Sequence, residues 1–197
     1  MAYNPRDYFF KKAKKENYAA RSVYKLEELD ERFKIIRPGM KILDLGAAPG
    51  SWSQYCSKKT GAGGVIMGID LQRIELTLPN AVFVQADLLS ADLPAIMSVH
   101  SITPPFDLVL SDMAPKTTGF RDADQARSLE LCELALSLAL RHLRGGGGFV
   151  CKLFHSGGFE GLRNRIKHSF NRVEVLRPKS TRKESKEIFL AGIGAKS

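Results

Sequence analysis

A lysine and four carboxylates stand inside, or at the ends of, apolar runs, and their types limit the chemistry the chain can do. In Phe149-Val150-Cys151-Lys152-Leu153-Phe154, Lys152 interrupts an otherwise continuous apolar stretch. Lysine is seldom buried without a partner, so this position asks for a carboxylate. The other reading is a side chain that runs out to water at a strand end. The preceding apolar run, Phe106–Leu110, ends in Ser111-Asp112-Met113-Ala114-Pro115. If the two runs are neighbouring strands, Asp112 and Lys152 meet at their carboxyl ends. A lysine so held can orient a hydroxyl or take its proton.

The remaining carboxylates surround a glycine loop, Asp44-Leu45-Gly46-Ala47-Ala48-Pro49-Gly50. Small residues let a ligand approach the backbone, and Pro49 suits the first position of a helix. A dinucleotide fingerprint needs glycine at its first, third and sixth positions; here those are Gly46, Ala48 and Ser51. The poor match argues against a pyrophosphate ligand and a nicotinamide enzyme. Asp70 ends one apolar run, where an acid accepts hydrogen bonds from ribose hydroxyls in many nucleotide folds, and Asp87 follows the next. Singly, each is as well explained as a cap or a surface charge. Together above a glycine loop they suit a nucleoside bearing a positive centre, such as S-adenosylmethionine, a sulfonium.

Apolar periodicity supplies the elements that must position these groups. Residues 17–34 read as a helix with Val23, Leu26, Leu29 and Phe33 along one side, ended before Pro38-Gly39. Short strands are expected at 41–45, 64–69, 81–84, 106–110 and 149–153. Helices are expected from about Pro49, over 124–143 and over 159–170, with Gly145–Gly148 ending the second. Segments 172–176 and 188–192 are too close for a crossover helix and should pair antiparallel. The pattern predicts an α/β, Rossmann-like fold: a seven-stranded, mostly parallel sheet with one antiparallel strand and helices on both faces. One domain is expected over 1–197, with 1–37 a basic segment and helix and 38–197 the catalytic core.

The net charge of +9 is unevenly spread. Residues 1–25 carry seven Lys or Arg against two acids and residues 160–197 ten against four, leaving thirteen against fifteen in between. A near-neutral core with two basic ends is the footprint of a polyanion binder. Cys56, Cys132 and Cys151 are widely spaced, which speaks against a disulfide framework or zinc site. His100, His142, His155 and His168 show no ligand spacing either, so no metal is expected. No apolar run approaches the roughly 20 residues of a membrane span, and no secretory signal is visible. A cytoplasmic protein that binds no membrane is expected.

Read on geometry alone, Lys25 falls in a charged helical stripe with Arg21, Glu28 and Arg32, and Glu187 simply flanks a strand. In order, however, Arg21-Ser22-Val23-Tyr24-Lys25-Leu26, the Asp44–Gln54 loop, Ser111–Pro115, Lys152-Leu153-Phe154 and Arg177–Arg182 leading to Glu187 form a specific set. The chain resembles the FtsJ-like, heat-shock family of ribosomal RNA 2′-O-ribose methyltransferases, the large-subunit methyltransferase E group. The resemblance implies that Lys25, Asp112, Lys152 and Glu187 are a Lys-Asp-Lys-Glu catalytic tetrad. It also implies that Gly50, Trp52, Asp70, Asp87 and Asp112 line an S-adenosylmethionine site, to which the loop adds Gly46. Ser51, where glycine is usual, and Lys116, where asparagine is common, depart from the family pattern.

What the resemblance implies is methylation of a uridine in the A-loop of large-subunit ribosomal RNA, with ribosomal RNA or the large subunit as partner and no action on DNA. A monomer is the expected state. The alternatives are transfer RNA, an mRNA cap, or a non-catalytic ribosome assembly factor. Free lysine, with a pKa of about 10.4, is a poor base near neutrality. Desolvation and Lys25 would lower that value for Lys152, while Asp112 and Glu187 would raise it. Phosphate contacts are expected from Lys11, Lys12, Lys14, Lys15 and Arg21.

Overall fold

The computed structural model describes residues 5–116, 118–154, 157–182 and 185–197; His155 lies outside them. Its helices are α1 (Pro5–Lys15), α2 (Val23–Phe33), α3 (Ser51–Thr60), α4 (Leu93–Val99), α5 (Arg121–His142) and α6 (Phe159–Ser169). Its strands are β1 (Lys41–Leu45), β2 (Val65–Asp70), β3 (Ala81–Gln85), β4 (Phe106–Ser111), β5 (Leu143–Phe154), β6 (Phe170–Leu176) and β7 (Glu187–Ala195).

The strands form one sheet in the order β3-β2-β1-β4-β5-β7-β6. β7 alone runs against its neighbours, pairing antiparallel with β5 and β6. This is the anticipated Rossmann-like arrangement. The order reverses between β1 and β4, which pair in parallel. Open α/β sheets bind ligands in the crevice at such a switch point, outside the carboxyl ends of the strands.

Successive strand residues point to opposite faces, and two cores result. Leu43, Leu45, Met67, Val109, Phe149, Cys151 and Leu153 pack with α4, α5 and α6. Ile42, Ile66, Leu108, Leu110, Val150 and Phe189 pack with Val23, Tyr24, Leu26 and Leu29 of α2 and Trp52, Tyr55 and Cys56 of α3. By the same alternation, Asp44, Asp112 and Lys152 follow the α2/α3 face. Helices α2 and α3 are tied beneath that core by Asp30, whose carboxylate accepts from Tyr55 Oη at 3.0 Å and from Ile36 N at 2.9 Å.

Several boundaries differ from expectation. The glycines at 145–148 do not end a helix: α5 stops at His142, and β5 begins at Leu143 and runs through them. Glycine fits there because the backbone is crowded: a Cβ on Gly147 would stand 2.9 Å from Arg144 O and one on Gly148 3.0 Å from Leu108. Pro49 is not the first helical residue; Gly50, at φ +105°, precedes α3, which starts at Ser51. The first predicted helix begins at Val23, residues 17–22 being turn and coil, and α1 and α4 were not anticipated. Among the described residues, no helix is long and apolar enough to cross a membrane.

Candidate active site

Neighbouring strands bring the predicted lysine and aspartate together. β4 pairs with β5 so that Ser111 faces Cys151, which leaves Asp112 beside Lys152. Lys152 Nζ donates to Asp112 Oδ1 at 2.7 Å and to Asp112 O at 2.6 Å. Lys152 is 8% exposed, so its ammonium stays in the site instead of running out to water. Asp112 N in turn donates to Leu45 O, tying this corner to β1.

Glu187 opens β7 opposite Phe154, and Phe189 stands opposite Lys152. Lys152 and Glu187 are therefore diagonal neighbours on one face, a spacing long side chains bridge. Lys25 reaches from α2 to the same place and forms an ion pair with Glu187. Neither residue is the solvated charge that stripe and flank geometry suggested; their side chains are 14% and 11% exposed. Burial pushes the Glu187 carboxyl up, but the adjacent Lys25, helped by Lys152, outweighs burial and holds it below its ordinary value. The four residues thus form two ion pairs on one face of the sheet.

Beside them a cavity of about 440 Å³ opens at the carboxyl ends of β1, β2, β3 and β4. Its lining includes Gly46, Asp70, Asp87 and Asp112, with Leu71, Leu88, Leu89 and Met113 as apolar surface. The volume lies within the range of small-ligand sites. Asp70 is fixed by the loop it faces, accepting from Ala48 N at 2.9 Å and Gln72 N at 2.8 Å. Asp87 accepts from Leu89 N at 3.0 Å. Gly46 has φ +73°, and a Cβ there would lie 2.7–2.9 Å from Met113 N, Cα and Cγ. Only glycine lets β1 turn away so near the segment that carries Asp112.

Two residues expected at the cofactor stand outside this lining. Gly50 faces Leu76, which a Cβ would meet at 2.8 Å. The Trp52 ring packs on Phe189 at 5.8 Å, and its indole N–H donates to Ser22 O at 2.9 Å. Trp52 joins α3 to the approach to α2.

Three carboxylates that sequence reasoning underused shape the site. Asp44 is fully buried beneath the glycine loop; Ser53 Oγ donates to its Oδ2 at 2.6 Å, while Oδ1 has no hydrogen-bond partner. Burial, only partly offset by Ser53 and reinforced by Asp112 and Asp70, pushes its carboxyl up to about 7. Asp124 accepts from Thr118 N, Thr118 Oγ1 and Gly119 N at 2.8–3.2 Å, pinning the loop that follows Lys116. Glu28 accepts from Lys179 N at 2.6 Å and Ser180 N at 2.9 Å. An acid inside the apolar run Lys41–Leu45 is a signal for Asp44 of the kind that singled out Lys152.

The cavity fits a cationic nucleoside: carboxylates stand at successive strand ends and the walls between them are apolar. Residues 18–195 match the model of the FtsJ-like methyltransferase family. The chain belongs to that family. Over its full length it is 59% identical to the ribosomal RNA large subunit methyltransferase E of Bdellovibrio bacteriovorus, covering 100% of both chains. It is 48% identical to the protein of that name from Syntrophobacter fumaroxidans, over 98% of each. A crystal structure described as a ribosomal RNA methyltransferase of Plasmodium falciparum superposes with a TM-score of 0.78 at 27% identity, covering 90% of this chain and 98% of that one. Family membership implies a methyl donor and accounts for a ligand cavity placed directly against the Lys152–Asp112 pair.

Proposed function

We propose that the protein transfers a methyl group from S-adenosylmethionine to a ribose 2′-hydroxyl of large-subunit ribosomal RNA, at a uridine of the A-loop. The observation that carries this reading is the double role of Asp112, which lines the cavity and holds Lys152 Nζ. A methyl donor in the cavity and a hydroxyl at Lys152 are then neighbours. The names of the full-length relatives support ribosomal RNA; the 2′-oxygen rests on the resemblance of the tetrad, and the A-loop uridine on the resemblance to the large-subunit methyltransferase E group.

S-adenosylmethionine, when bound, supplies a methyl group already activated by its sulfonium. Asp70 and Asp87 offer the carboxylates to hold its nucleoside, Gly46 the close backbone approach, and Gly50 and Trp52 support the loop and α3 from behind. Holding the reacting groups in line is worth several powers of ten in rate. Lys152 meets the attacking 2′-oxygen and, steered by Asp112, stabilises it or takes its proton as the bond forms. Lys25 and Glu187 close the other side of the hydroxyl, with Glu187 kept as a carboxylate through the neutral range by Lys25. DNA lacks the nucleophile.

RNA phosphates would rest on Lys11, Lys14 and Lys15, which are exposed on α1. Lys12 and Arg21 also hold contacts within the chain. Lys12 sits 4.2 Å over the Tyr24 ring and 3.7 Å from Glu27, and Arg21 donates to Ser180 O at 2.7 Å. We take the working form to be a monomer acting in the cytoplasm. The test is to map the product: digestion of reacted large-subunit RNA should yield one 2′-O-methyluridine in the A-loop, and a base-methylated product would overturn the reading. The pH–rate profile then separates the two roles of Lys152. A chemical rate flat between about pH 6 and pH 9 rules out the base role, which demands a rising limb.

A further inference from the structure

α2 carries Arg21 just before its first turn, then Lys25 and Glu28, at spacings of four and three residues that place side chains on one helical face. Only Lys25 belongs to the tetrad. Its two flankers bind a single peptide segment: Glu28 accepts from the amides of Lys179 and Ser180 with separate carboxylate oxygens, and Arg21 donates to the Ser180 carbonyl. Ser180 is buried, and Thr181 N closes a turn onto Pro178 O at 3.0 Å. This segment leaves β6 and leads to Glu187, the first residue of β7 and the partner of Lys25. The same helical face therefore grips both ends of the connection that delivers a tetrad carboxylate.

We propose that Glu28 is a positioning residue for the reaction: its two-pronged hold on Lys179 and Ser180 sets the register in which Glu187 meets Lys25. The inference rests on the tetrad reading of the site. A charged acceptor serving two amides makes hydrogen bonds stronger than neutral ones. Without it, the Lys179 and Ser180 amides lose their charged acceptor and the segment is free to shift, so that Glu187 can leave Lys25.

The test compares the intact wild-type protein with E28Q and E28A. Glutamine keeps one acceptor oxygen and alanine none, so turnover at saturating substrate should fall in that order, with E28A at least tenfold slower. S-adenosylmethionine affinity should change less than twofold. Carboxyl NMR should show Glu187 titrating at higher pH in E28A, and the Lys179 and Ser180 amides should lose protection from hydrogen exchange. These two readouts need no activity: if the wild type methylates nothing, the proposed function fails while the clamp is still judged on its own. A Glu187 titration unchanged in E28A, despite deprotected amides, would overturn the proposal. So would full turnover in both variants, or a loss confined to cofactor affinity and thermal stability.

Discussion

Replacing Asp44 by asparagine probes the loop most directly, because Asp44 carries a cost whose pH dependence can be worked out. Its side chain is fully buried, and its carboxyl is raised from 3.8 to about 7. The raised value means that the fold favours the protonated form. The contribution is fully present below the unfolded pKa of about 3.9 and is lost as pH rises through the folded value near 7. At about 1.4 kcal/mol per unit, the shift corresponds to a cost on the order of 4 kcal/mol once Asp44 is ionised. Asparagine accepts the Ser53 hydrogen bond but leaves its buried amide N–H₂ unpaired where Oδ1 lies, at about 1–3 kcal/mol. That penalty does not vary with pH. The stability of D44N relative to wild type should therefore improve by about 3 kcal/mol between pH 5 and pH 8, then level off. Urea unfolding of the ligand-free proteins at several pH values reads this difference. A difference constant across that range would refute the account of Asp44 as a raised, buried acid.

Other perturbations have equally definite outcomes. Glu187→Gln removes the partner of Lys25; because the carboxyl is lowered, wild type should be the more stable by about 1–3 kcal/mol above pH 5, and the gap should close as pH falls through the folded value. Gly46→Ala forces a Cβ into Met113, so cofactor affinity measured by calorimetry should drop at least tenfold, about 1.4 kcal/mol. Removing Lys11, Lys14 and Lys15 together should make the salt dependence of RNA binding shallower, by about 0.7–0.9 in the log–log slope for each phosphate no longer neutralised. Lys12→Ala should instead lower thermal stability, since Lys12 is occupied by Tyr24 and Glu27.

Most of the sheet was legible because its strands are short apolar runs between glycine and proline breaks, and burial on both faces leaves few other readings. Lys152 was legible for the complementary reason, a charge where such a run allows none without a partner. The glycine stretch at 145–148 was misread because glycine commonly stops helices; that a strand continues through it depends on crowding from Arg144 and Leu108. The short α4 buries only Leu93 and Met97, too little for a periodic signal. The roles of Glu28 and Arg21 depend on a segment about 150 residues away, and helical periodicity alone could only call them solvated. Trp52 shows the opposite limit: the family pattern flags the position, but only the packing shows its ring against Phe189.

In the proposed function, the Lys152–Asp112 pair beside the cavity catalyses methyl transfer to ribosomal RNA. Its most direct test is transfer of labelled methyl from S-adenosylmethionine to separate pools of large ribosomal subunits, deproteinised ribosomal RNA and transfer RNA, using wild type and Lys152→Ala. Label on the ribosomal substrate, at a 2′-oxygen and absent with a folded, cofactor-binding Lys152→Ala protein, is the predicted result. Undiminished transfer by Lys152→Ala would contradict a catalytic role for the pair, and label on transfer RNA alone would contradict the ribosomal substrate.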